Sequence, residues 1–359
     1  MTPVEVWTDA AIGETRQVLA QDGRAFALSV WRWSDRGRRT QWGEAYDACV
    51  RSVDVRRRGA FLDLGIAEPG FVRLDATGRV RVGETPHVLA EGQAIRAHVK
   101  REGARGKSPV LSVEAMLPGA ERLGCIARHE AEADAEQRGV TDSETRERID
   151  AVVEAALSRT APIPGGGLLT IEPTAALVAI DVDAGERAGS GDGERFAAAL
   201  NADAAREAAR QLRLRNLGGI VAIDFVSMRD RRGRESTTEA LRAAFAGDPW
   251  GVQIAPMSRF GVVELSRGQL RRPLHELLCD ANGAPSAETE ALAMLRGVER
   301  EVRAARGRLA AALVGADLMA WLDAAPFDWR AALTARIGPR WEVRADARGA
   351  PRVWRVEVE

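Results

Sequence analysis

Short runs in which apolar and polar residues alternate fill the first third of the chain. Residues 4–34 predict two or three short strands with a turn at "QDGR" (21–24). Six further runs follow within about 75 residues, a density typical of a small closed β-barrel. These runs read "EAYDACVRSVDV", "GAFLDLGI", "PGFVRLD", "GRVRVGE", "QAIRAHVKRE" and "SPVLSVEAM".

A different pattern begins at residue 118. Residues 118–148 are acidic with little β signal, which predicts a linker and a helix, and 147–160 predicts an amphipathic helix broken by "PIPGGG". Strands at "LLTIE", "ALVAIDV" and "IVAIDFV" then alternate with a long helix over 193–216 and a helix in "STTEALRAAFAGD". Gly218 and Gly219 are predicted to end the long helix. "GVQIAPMS" and "GVVELS" predict two more strands, and residues 286–359 predict a helix followed by alternating strands and helices.

Composition narrows the class of protein. Of the 359 residues, 45% are hydrophobic and 29% charged, as in a soluble globular protein, and no apolar run is long enough to cross a membrane. "MTPVEVWTDAAIGE" lacks a signal-peptide core. Cys49, Cys125 and Cys279 are far apart and odd in number, which indicates a reducing, cytoplasmic setting. The net charge of −1 argues against a uniformly basic nucleic-acid binder, although 51–59 and 96–107 are basic.

Two apolar runs each end by placing an aspartate where an aliphatic residue would be expected. They are "LVAIDVDAG" (177–185) and "GIVAIDFVSM" (219–228). Because residues two apart in a strand face one side, Asp181 and Asp183 should point together, with Val182 buried on the other face. If the strand holding Asp224 lies alongside, three carboxylates converge at one sheet edge. Oxygen ligands of this kind suit Mg²⁺ or Mn²⁺.

A purely structural alternative stays open for these aspartates. Each could instead cap a neighbouring turn, or pair with an arginine of "RQLRLR" (210–215). The same choice applies to Phe61 and Phe71 in the barrel segment. They could be core residues, or exposed platforms on which single-stranded bases stack.

Longer blocks carry a resemblance to a known family. "IEPTAALVAIDVDAG", "NADAAREAARQLRLRNLGGIVAIDFVSM" and "SRFGVVELSRGQLRRPL" resemble the catalytic region of the ribonuclease E/G family, in the family's order and spacing. "GAFLDLGIAEPGFVRL" is similar to that family's S1 RNA-binding domain.

The resemblance implies an α+β multidomain fold with five parts. They are N-terminal strands (1–40, an RNase H-like remnant), an S1-type OB-fold β-barrel (41–117), a linker and helix replacing the 5′-sensor region (118–164), a DNase I-like α/β catalytic domain (165–285) and a small α/β C-terminal domain (286–359).

Site residues follow from the same resemblance, position by position. Asp181 and Asp224 match the pair that holds Mg²⁺, and Asp183 stands where the family usually has an asparagine that orients the site. Four barrel residues match the family's RNA contacts: Phe61, Phe71, Lys100 and Lys107. The implied activity is Mg²⁺-dependent endonucleolytic cleavage of single-stranded RNA, giving 5′-phosphate and 3′-hydroxyl products.

Three departures from the family bear on function. The segment between barrel and catalytic region is too short to carry the family's sensor for an RNA 5′-monophosphate. Cys279 stands alone where the family has a paired-cysteine motif, so we expect no structural zinc and no zinc-linked dimer; any oligomer would use the C-terminal domain. Ala175 replaces a usual glutamate. A non-catalytic RNA-binding protein with the family fold is therefore the alternative, and a DNA nuclease is a third hypothesis.

Overall fold

The computed structural model describes residues 3–104, 107–119, 122–129, 141–185, 193–305, 307–346 and 349–358. Its strands are β1 (Glu5–Ala11), β2 (Glu14–Gln21), β3 (Arg24–Arg32), β4 (Ala45–Asp54), β5 (Gly59–Asp63), β6 (Gly70–Arg73), β7 (Val80–Val82), β8 (Thr85–His87), β9 (Ala94–Arg101), β10 (Val110–Met116), β11 (Gly124–Ala127), β12 (Thr160–Pro162), β13 (Leu168–Pro173), β14 (Val178–Asp183), β15 (Gly219–Asp224), β16 (Val252–Ile254), β17 (Val262–Arg267), β18 (Ala310–Val314), β19 (Trp341–Ala345) and β20 (Trp354–Val358).

The helices are α1 (Ser143–Leu157), α2 (Gly193–Leu214), α3 (Arg231–Ala244), α4 (Leu274–Leu278), α5 (Ala287–Ala304), α6 (Ala316–Ala324) and α7 (Trp329–Ile337).

The chain divides into two compact units. The sheet unit comprises the chain up to Trp7, Val18–Leu28 and Asp150–Leu274. The barrel unit comprises Thr8–Gln17, Ser29–Ile149 and the chain from His275 onward. The five-part division expected from the sequence stays a prediction.

The predicted strands of residues 4–34 are confirmed as a three-stranded sheet with the order β1-β2-β3. Between β2 and β3, Asp22 and Gly23 both have positive φ, at 52° and 70°. Two consecutive positive φ values make the two-residue turn whose twist matches that of a hairpin. The predicted turn at residues 21–24 therefore forms for a local reason.

A closed barrel forms from residues 45–116, as the strand density predicts. The sheet order is β11-β4-β5-β6-β10-β9, and an additional β4–β9 pairing closes five of these strands into a ring. The interior is filled by alternate residues of each strand, among them Tyr46, Ala60, Leu62, Val72 and Ile95. The α+β class and an OB-type barrel are thus confirmed, whereas the DNase I-like description of the other domain stays a prediction.

Two features of this region differ from the sequence prediction. The run "GRVRVGE" forms β7, but β7 pairs only with the short β8 and is not a barrel strand. Strand β11 pairs with β4 inside a segment expected to hold only linker and helix. Its four residues are mostly exposed and lack an alternating pattern, so hydrophobic periodicity could not reveal it. The remainder of that segment lies partly outside the described residues, at 120–121 and 130–140.

The C-terminal part of the barrel unit combines three helices with a three-stranded sheet. Strand β18 lies between β19, to which it is parallel, and β20, to which it is antiparallel. Helix α5 begins at the cap Ser286, whose side chain accepts a hydrogen bond from the Thr289 amide. The apolar face of α5 packs with Leu318, Trp329 and Leu333 of α6 and α7.

The sheet unit contains a six-stranded sheet of order β12-β13-β14-β15-β17-β16. Strands β14 and β15 are parallel, and the other neighbours are antiparallel. One face packs on helices α2 and α3 through Leu200, Ala208 and Leu212 of α2 and Leu241 of α3. Alternate strand residues fill that core, so the intervening residues lie on the opposite face.

The ends of both helices differ from the sequence prediction. Helix α2 stops at Leu214 because Asn216 adopts a positive φ of 55°, while the Leu217 amide donates to the Leu212 carbonyl. This is a Schellman end with asparagine in the left-handed position, so the glycine pair at 218–219 is not the terminator. Helix α3 begins five residues earlier than the predicted start, at Arg231, because the Asp230 side chain caps it.

Among the described residues, no helix is both long enough and apolar enough to cross a membrane.

Buried ion pairs hold the barrel unit together around Asp9. The side chain of Asp9 is fully buried and accepts hydrogen bonds from Arg16 at 2.5 Å and from Arg146 at 3.0 Å. Arg146 also forms an ion pair with buried Glu299 at 3.1 Å. Burial raises the pKa of Asp9, but the positive charges of Arg16 and Arg146 outweigh it and hold that pKa at about 2. The carboxylate is therefore charged and paired in the folded state.

We expect Asp9→Asn to lower the free energy of unfolding by about 3–5 kcal/mol, because it leaves two buried guanidinium groups underpaired. Urea denaturation at neutral pH measures this change. The matched control is Asp203→Asn, whose pair with exposed Arg206 is worth about 1 kcal/mol or less.

The same pair makes stability depend on pH. Because the folded pKa of Asp9 is about 2 and its ordinary value is 3.8, its contribution is present above pH 3.8 and is lost as the pH falls toward 2. Asp9→Asn should lack this part of the acid dependence. Equal stability of Asp9→Asn and Asp203→Asn would contradict the account.

Candidate active site

The two aspartates that end the apolar runs lie side by side. Asp181 of β14 is the register partner of Asp224 of β15 in a parallel pair. Neighbouring strands are about 4.7–4.9 Å apart, and residues in register on one face extend their side chains together. Val182 is buried on the opposite face, as the sequence predicts. The pairing therefore brings two carboxylates to one edge of the sheet.

Both carboxylates are exposed, although each ends an apolar run whose alternate residues are buried. Among the described residues, the side chains of Asp181 and Asp224 form neither an ion pair nor a hydrogen bond. The arginines of "RQLRLR" have other partners. Arg210 pairs with Glu207, Arg213 donates to the Ala244 carbonyl and Arg215 donates to the Ser158 carbonyl. Within the part of the chain that the structure describes, these two aspartates therefore neither cap a turn nor pair with an arginine.

Asp183 behaves differently from the pair. It is exposed and lies on the same face of β14 as Asp181, but its Oδ1 accepts a hydrogen bond from the Gly185 amide at 2.9 Å. This is the turn-capping role that the sequence left open. The second oxygen still adds negative charge beside the pair.

The donor set fits a hard divalent ion. Mg²⁺ is usually held in proteins by one or two carboxylates and keeps several waters, rather than sitting in a cage of protein ligands. Two exposed carboxylates in register provide that arrangement. Within the described ranges, no group of three or more His, Cys, Asp or Glu is placed to hold a metal, so no closed site is formed there.

Sequence reasoning missed a residue that fixes the chain beyond Asp224. Asn201 of α2 is fully buried; its Nδ2 donates to the Val226 carbonyl at 2.8 Å and its Oδ1 accepts from the Val226 amide at 3.1 Å. This double hydrogen bond holds the segment that leaves β15. An asparagine amid the apolar positions of a predicted helix was the available signal, because a buried amide needs partners.

Gly261 lies beside the same aspartate. Its φ is +92°, and a Cβ there would be 3.1 Å from the Phe225 carbonyl oxygen and 4.0 Å from Asp224 Oδ1. The Phe225 amide donates to the Gly261 carbonyl at 3.3 Å. A side chain at this position would strain the backbone and crowd the carboxylate.

The structure of the barrel places Phe61 and Phe71 together on its outside. They are register partners in β5 and β6, both half-buried, with ring centroids 5.3 Å apart in an edge-to-face arrangement. Core residues Leu62 and Val72 alternate with them. The Phe71 ring lies against Gly59, where a Cβ would be 2.2 Å from two ring carbons. The pair is therefore an outer aromatic face rather than barrel filling.

Both lysines of the chain are exposed. Lys100 lies in β9, and β10 separates β9 from β6, which carries Phe71. Lys107 forms a bridge with Ala104 at the β9–β10 connection, whose residues 105–106 lie outside the described part. The structure thus places Lys100 two strands from the aromatic pair on the same barrel.

Two departures from the family pattern can also be located. Burial and the charge of Asp280 raise the pKa of the Cys279 thiol, which disfavours the thiolate that a metal would need. Ala175 is exposed in the turn before β14, where Thr174 Oγ accepts from the Ala176 and Leu177 amides. Asp181 and Asp183 lie toward the other end of that strand.

Comparison with known proteins identifies similar sequences for the part of the chain that contains the aspartates. A sequence model of the Ribonuclease E/G family matches residues 126–270, a range that includes all three aspartates. The chain is 38% identical to Ribonuclease E of Escherichia coli over 161 residues, which cover 43% of this chain and 15% of that protein. It is also 38% identical to Ribonuclease E of Nostoc over 133 residues, covering 37% and 19%.

A plant protein is similar as well. The Ribonuclease E/G-like protein, chloroplastic, of Arabidopsis thaliana is 38% identical over 125 residues, covering 34% of this chain and 12% of that protein. In each case the chain matches less than a fifth of the relative's length. The family match and the relatives thus agree: over residues 126–270, less than half of the chain, the sequence is similar to the Ribonuclease E/G family.

Proposed function

We propose that this protein is a Mg²⁺-dependent endoribonuclease, with Mn²⁺ as the alternative ion, which cleaves single-stranded RNA to 5′-phosphate and 3′-hydroxyl products. The observation that carries the proposal is the register of Asp181 with Asp224 on an exposed sheet face. Two carboxylates left without partners among the described residues are costly to keep adjacent unless a cation binds between them.

The residues would divide the chemistry as follows. Asp181 and Asp224 would hold the ion, and Asp183 would add charge beside it from a position fixed by the Gly185 amide. Bound Mg²⁺ supplies polarisation of a phosphate oxygen and lowers the pKa of a water. Asn201 and Gly261 would keep Asp224 in place, the first through Val226 and the second by leaving room for the carboxylate.

The barrel would hold the substrate. Bases of single-stranded RNA can stack on the outer pair Phe61 and Phe71, while Lys100 and Lys107 contact phosphates. A duplex hides its bases, so the substrate should be unpaired. The half-buried, edge-to-face placement of the two rings on the outside of the barrel supports this proposal.

The competing function is that of an RNA-binding protein that kept the fold without activity. Its sequence support was the shortened segment between barrel and catalytic region, together with the substitutions at Ala175 and Asp183. Ala175 lies in an exposed turn at the other end of β14, and Asp183 retains a carboxylate beside the pair. The enzyme is therefore the better-supported function. We further propose a cytoplasmic protein without a zinc-linked dimer, in which any self-association uses the C-terminal domain.

We also propose that no 5′-monophosphate sensor is present. Arg159, which is followed by a threonine, is the candidate arginine before the catalytic strands. It directly precedes β12 and forms an ion pair with Glu172 of the neighbouring strand β13. That contact supports a structural role for Arg159. Residues 130–140 of the segment that replaces the sensor region lie outside the described part.

Cleavage of a labelled, unstructured oligoribonucleotide tests the main proposal. We expect cutting with Mg²⁺ and none with EDTA, and we expect Asp181→Asn/Asp224→Asn to bind the RNA without cutting it. Asp203→Asn, which removes a partly exposed carboxylate of α2, is the matched control and should cut normally.

Other outcomes of this assay would favour one of the alternative functions. RNA binding by the wild type without products would favour the non-catalytic alternative, and equal cutting of the matching DNA oligonucleotide would favour a DNA nuclease. Full cleavage by the double variant, in preparations free of host nuclease, would remove the assignment of the aspartates.

We expect Phe61→Ala and Phe71→Ala to weaken RNA binding more than folding. Loss of a stacking platform costs about 1–3 kcal/mol of binding per base. Leu62→Ala is the contrasting control, since truncating this core residue of the same strand should cost about 2–5 kcal/mol of stability. Fluorescence anisotropy and thermal melting measure the two effects. Melting temperatures of the phenylalanine variants as low as that of Leu62→Ala would return both rings to the core.

Without a sensor, the 5′ end of the substrate should matter little. One oligonucleotide carrying either a 5′-phosphate or a 5′-hydroxyl should be cut with similar kcat/KM, because no charge-assisted hydrogen bonds distinguish the two ends. A preference of about tenfold or more for the phosphate would reveal a sensor.

A further inference from the structure

The loop between β16 and β17 carries an aromatic side chain that the proposed site does not use. Phe260 is 70% exposed, the largest fraction among the exposed large hydrophobic residues of the described chain. Apolar side chains exposed singly are common on protein surfaces, so the exposure of Phe260 gains meaning only from the groups around it. The position of this ring relative to the aspartate pair suggests what the function is.

The loop holds Phe260 in a fixed backbone conformation. Ser258 Oγ accepts hydrogen bonds from the Phe260 and Val262 amides, both at 3.3 Å. The Gly261 amide donates to the Ser258 carbonyl at 3.1 Å, and the Ser258 amide donates to the Val262 carbonyl at 2.9 Å. Because the loop is already ordered by these hydrogen bonds, a ligand that binds it does not have to offset the entropy cost of ordering it.

This loop adjoins the aspartate pair directly. Val262 is the register partner of Asp224, and Gly261 is the residue whose Cβ would lie 4.0 Å from Asp224 Oδ1. Phe260 immediately precedes that glycine. The residue that carries the exposed ring is thus the sequence neighbour of the glycine next to Asp224. A nucleotide whose phosphate contacts Asp224 would have its base near this ring.

A free cation accompanies the ring. The guanidinium carbon of Arg259 lies 4.8 Å from the centroid of Phe260. Arg259 is exposed and forms no ion pair with any described residue. An aromatic surface next to an unpaired cation is the combination that binds single-stranded nucleic acid, the ring for a base and the cation for a phosphate.

A groove continues from the loop. It measures about 710 Å³ and lies between Pro256 and Met257 of the loop and helix α3. Three arginines of α3 line it: Arg231, Arg234 and Arg242. Two of them pair with Glu235 and Glu239 at exposed positions, where such pairs contribute little to stability.

We propose that Phe260 and Arg259 form a second RNA-binding platform, on the sheet unit, which stacks one base of the single strand next to the bond to be cut and passes the strand into the α3 groove. This inference rests on the proposed function, since it names how the same site takes its substrate. Phe260 acts as a positioning residue: it places the phosphate at the aspartates and takes no part in proton transfer.

Cleavage kinetics test the platform first. Phe260→Ala should lower kcat/KM for an unstructured oligoribonucleotide about tenfold, the loss of one stacked base, with an unchanged melting temperature. Phe260→Trp should restore cleavage, because it keeps a stacking surface. Ile220→Ala is the control: this residue is 58% exposed at the opposite end of β15 and should cut like the wild type.

Photocrosslinking provides a readout that does not require cleavage. In EDTA, an oligoribonucleotide containing 4-thiouridine should crosslink to the peptide that holds Phe260, and Phe260→Ala should lose that crosslink. Unchanged kcat/KM in Phe260→Ala, with crosslinks only in barrel peptides, would overturn the platform while leaving the nuclease intact. Crosslinking at Phe260 by a wild type that never cuts would support the platform and overturn the proposed activity.

Discussion

The parallel, in-register pairing of β14 with β15 is the constraint on which the site depends. It sets Asp181 opposite Asp224 at one level of the sheet, and a slip of one residue would turn one of them into the core. The register is fixed by the buried alternation of Val178, Ile180 and Val182 against Val221 and Ile223. The energy that holds two like charges together thus comes from the apolar face behind them.

The carboxylates of this fold occur in two different environments, one buried and paired and the other exposed. Asp9 is buried with two arginines, and its depressed pKa expresses a gain in stability. Asp181 and Asp224 are exposed, and no described residue pairs with them. A carboxylate with partners stabilises the fold, whereas adjacent carboxylates without partners only weaken it. The proposed binding of a cation would explain their placement.

Much of this could be predicted from sequence. Alternation predicted the barrel strands and the common face of Asp181 and Asp183, because a strand period of two is a local property. Local patterns failed where a single side chain decided the outcome. Asn216 ends α2 through its own left-handed conformation, and Asp230 starts α3 by capping it, although neither changes the apolar period.

The parts of the site that were missed depend on long-range contacts. Asn201 is 25 residues from Val226, and Gly261 approaches Asp224 only because β17 pairs with β15. The register of Asp181 with Asp224 itself was a conditional expectation, since the sequence does not state which strands are neighbours. The resemblance to a family supplied the expected roles, and the structure supplied the register and the exposure of the two aspartates.

Titration of the protein with Mn²⁺ or Mg²⁺ by calorimetry, without RNA, tests the central claim most directly. The wild type should bind an ion, and Asp181→Asn and Asp224→Asn should each lower the affinity at least about tenfold, because each removes one of the carboxylate ligands that such an ion takes from a protein. Asp183→Asn should change it less, since the Gly185 amide occupies one of its oxygens. Equal metal affinity in the wild type, Asp181→Asn and Asp224→Asn would contradict the account.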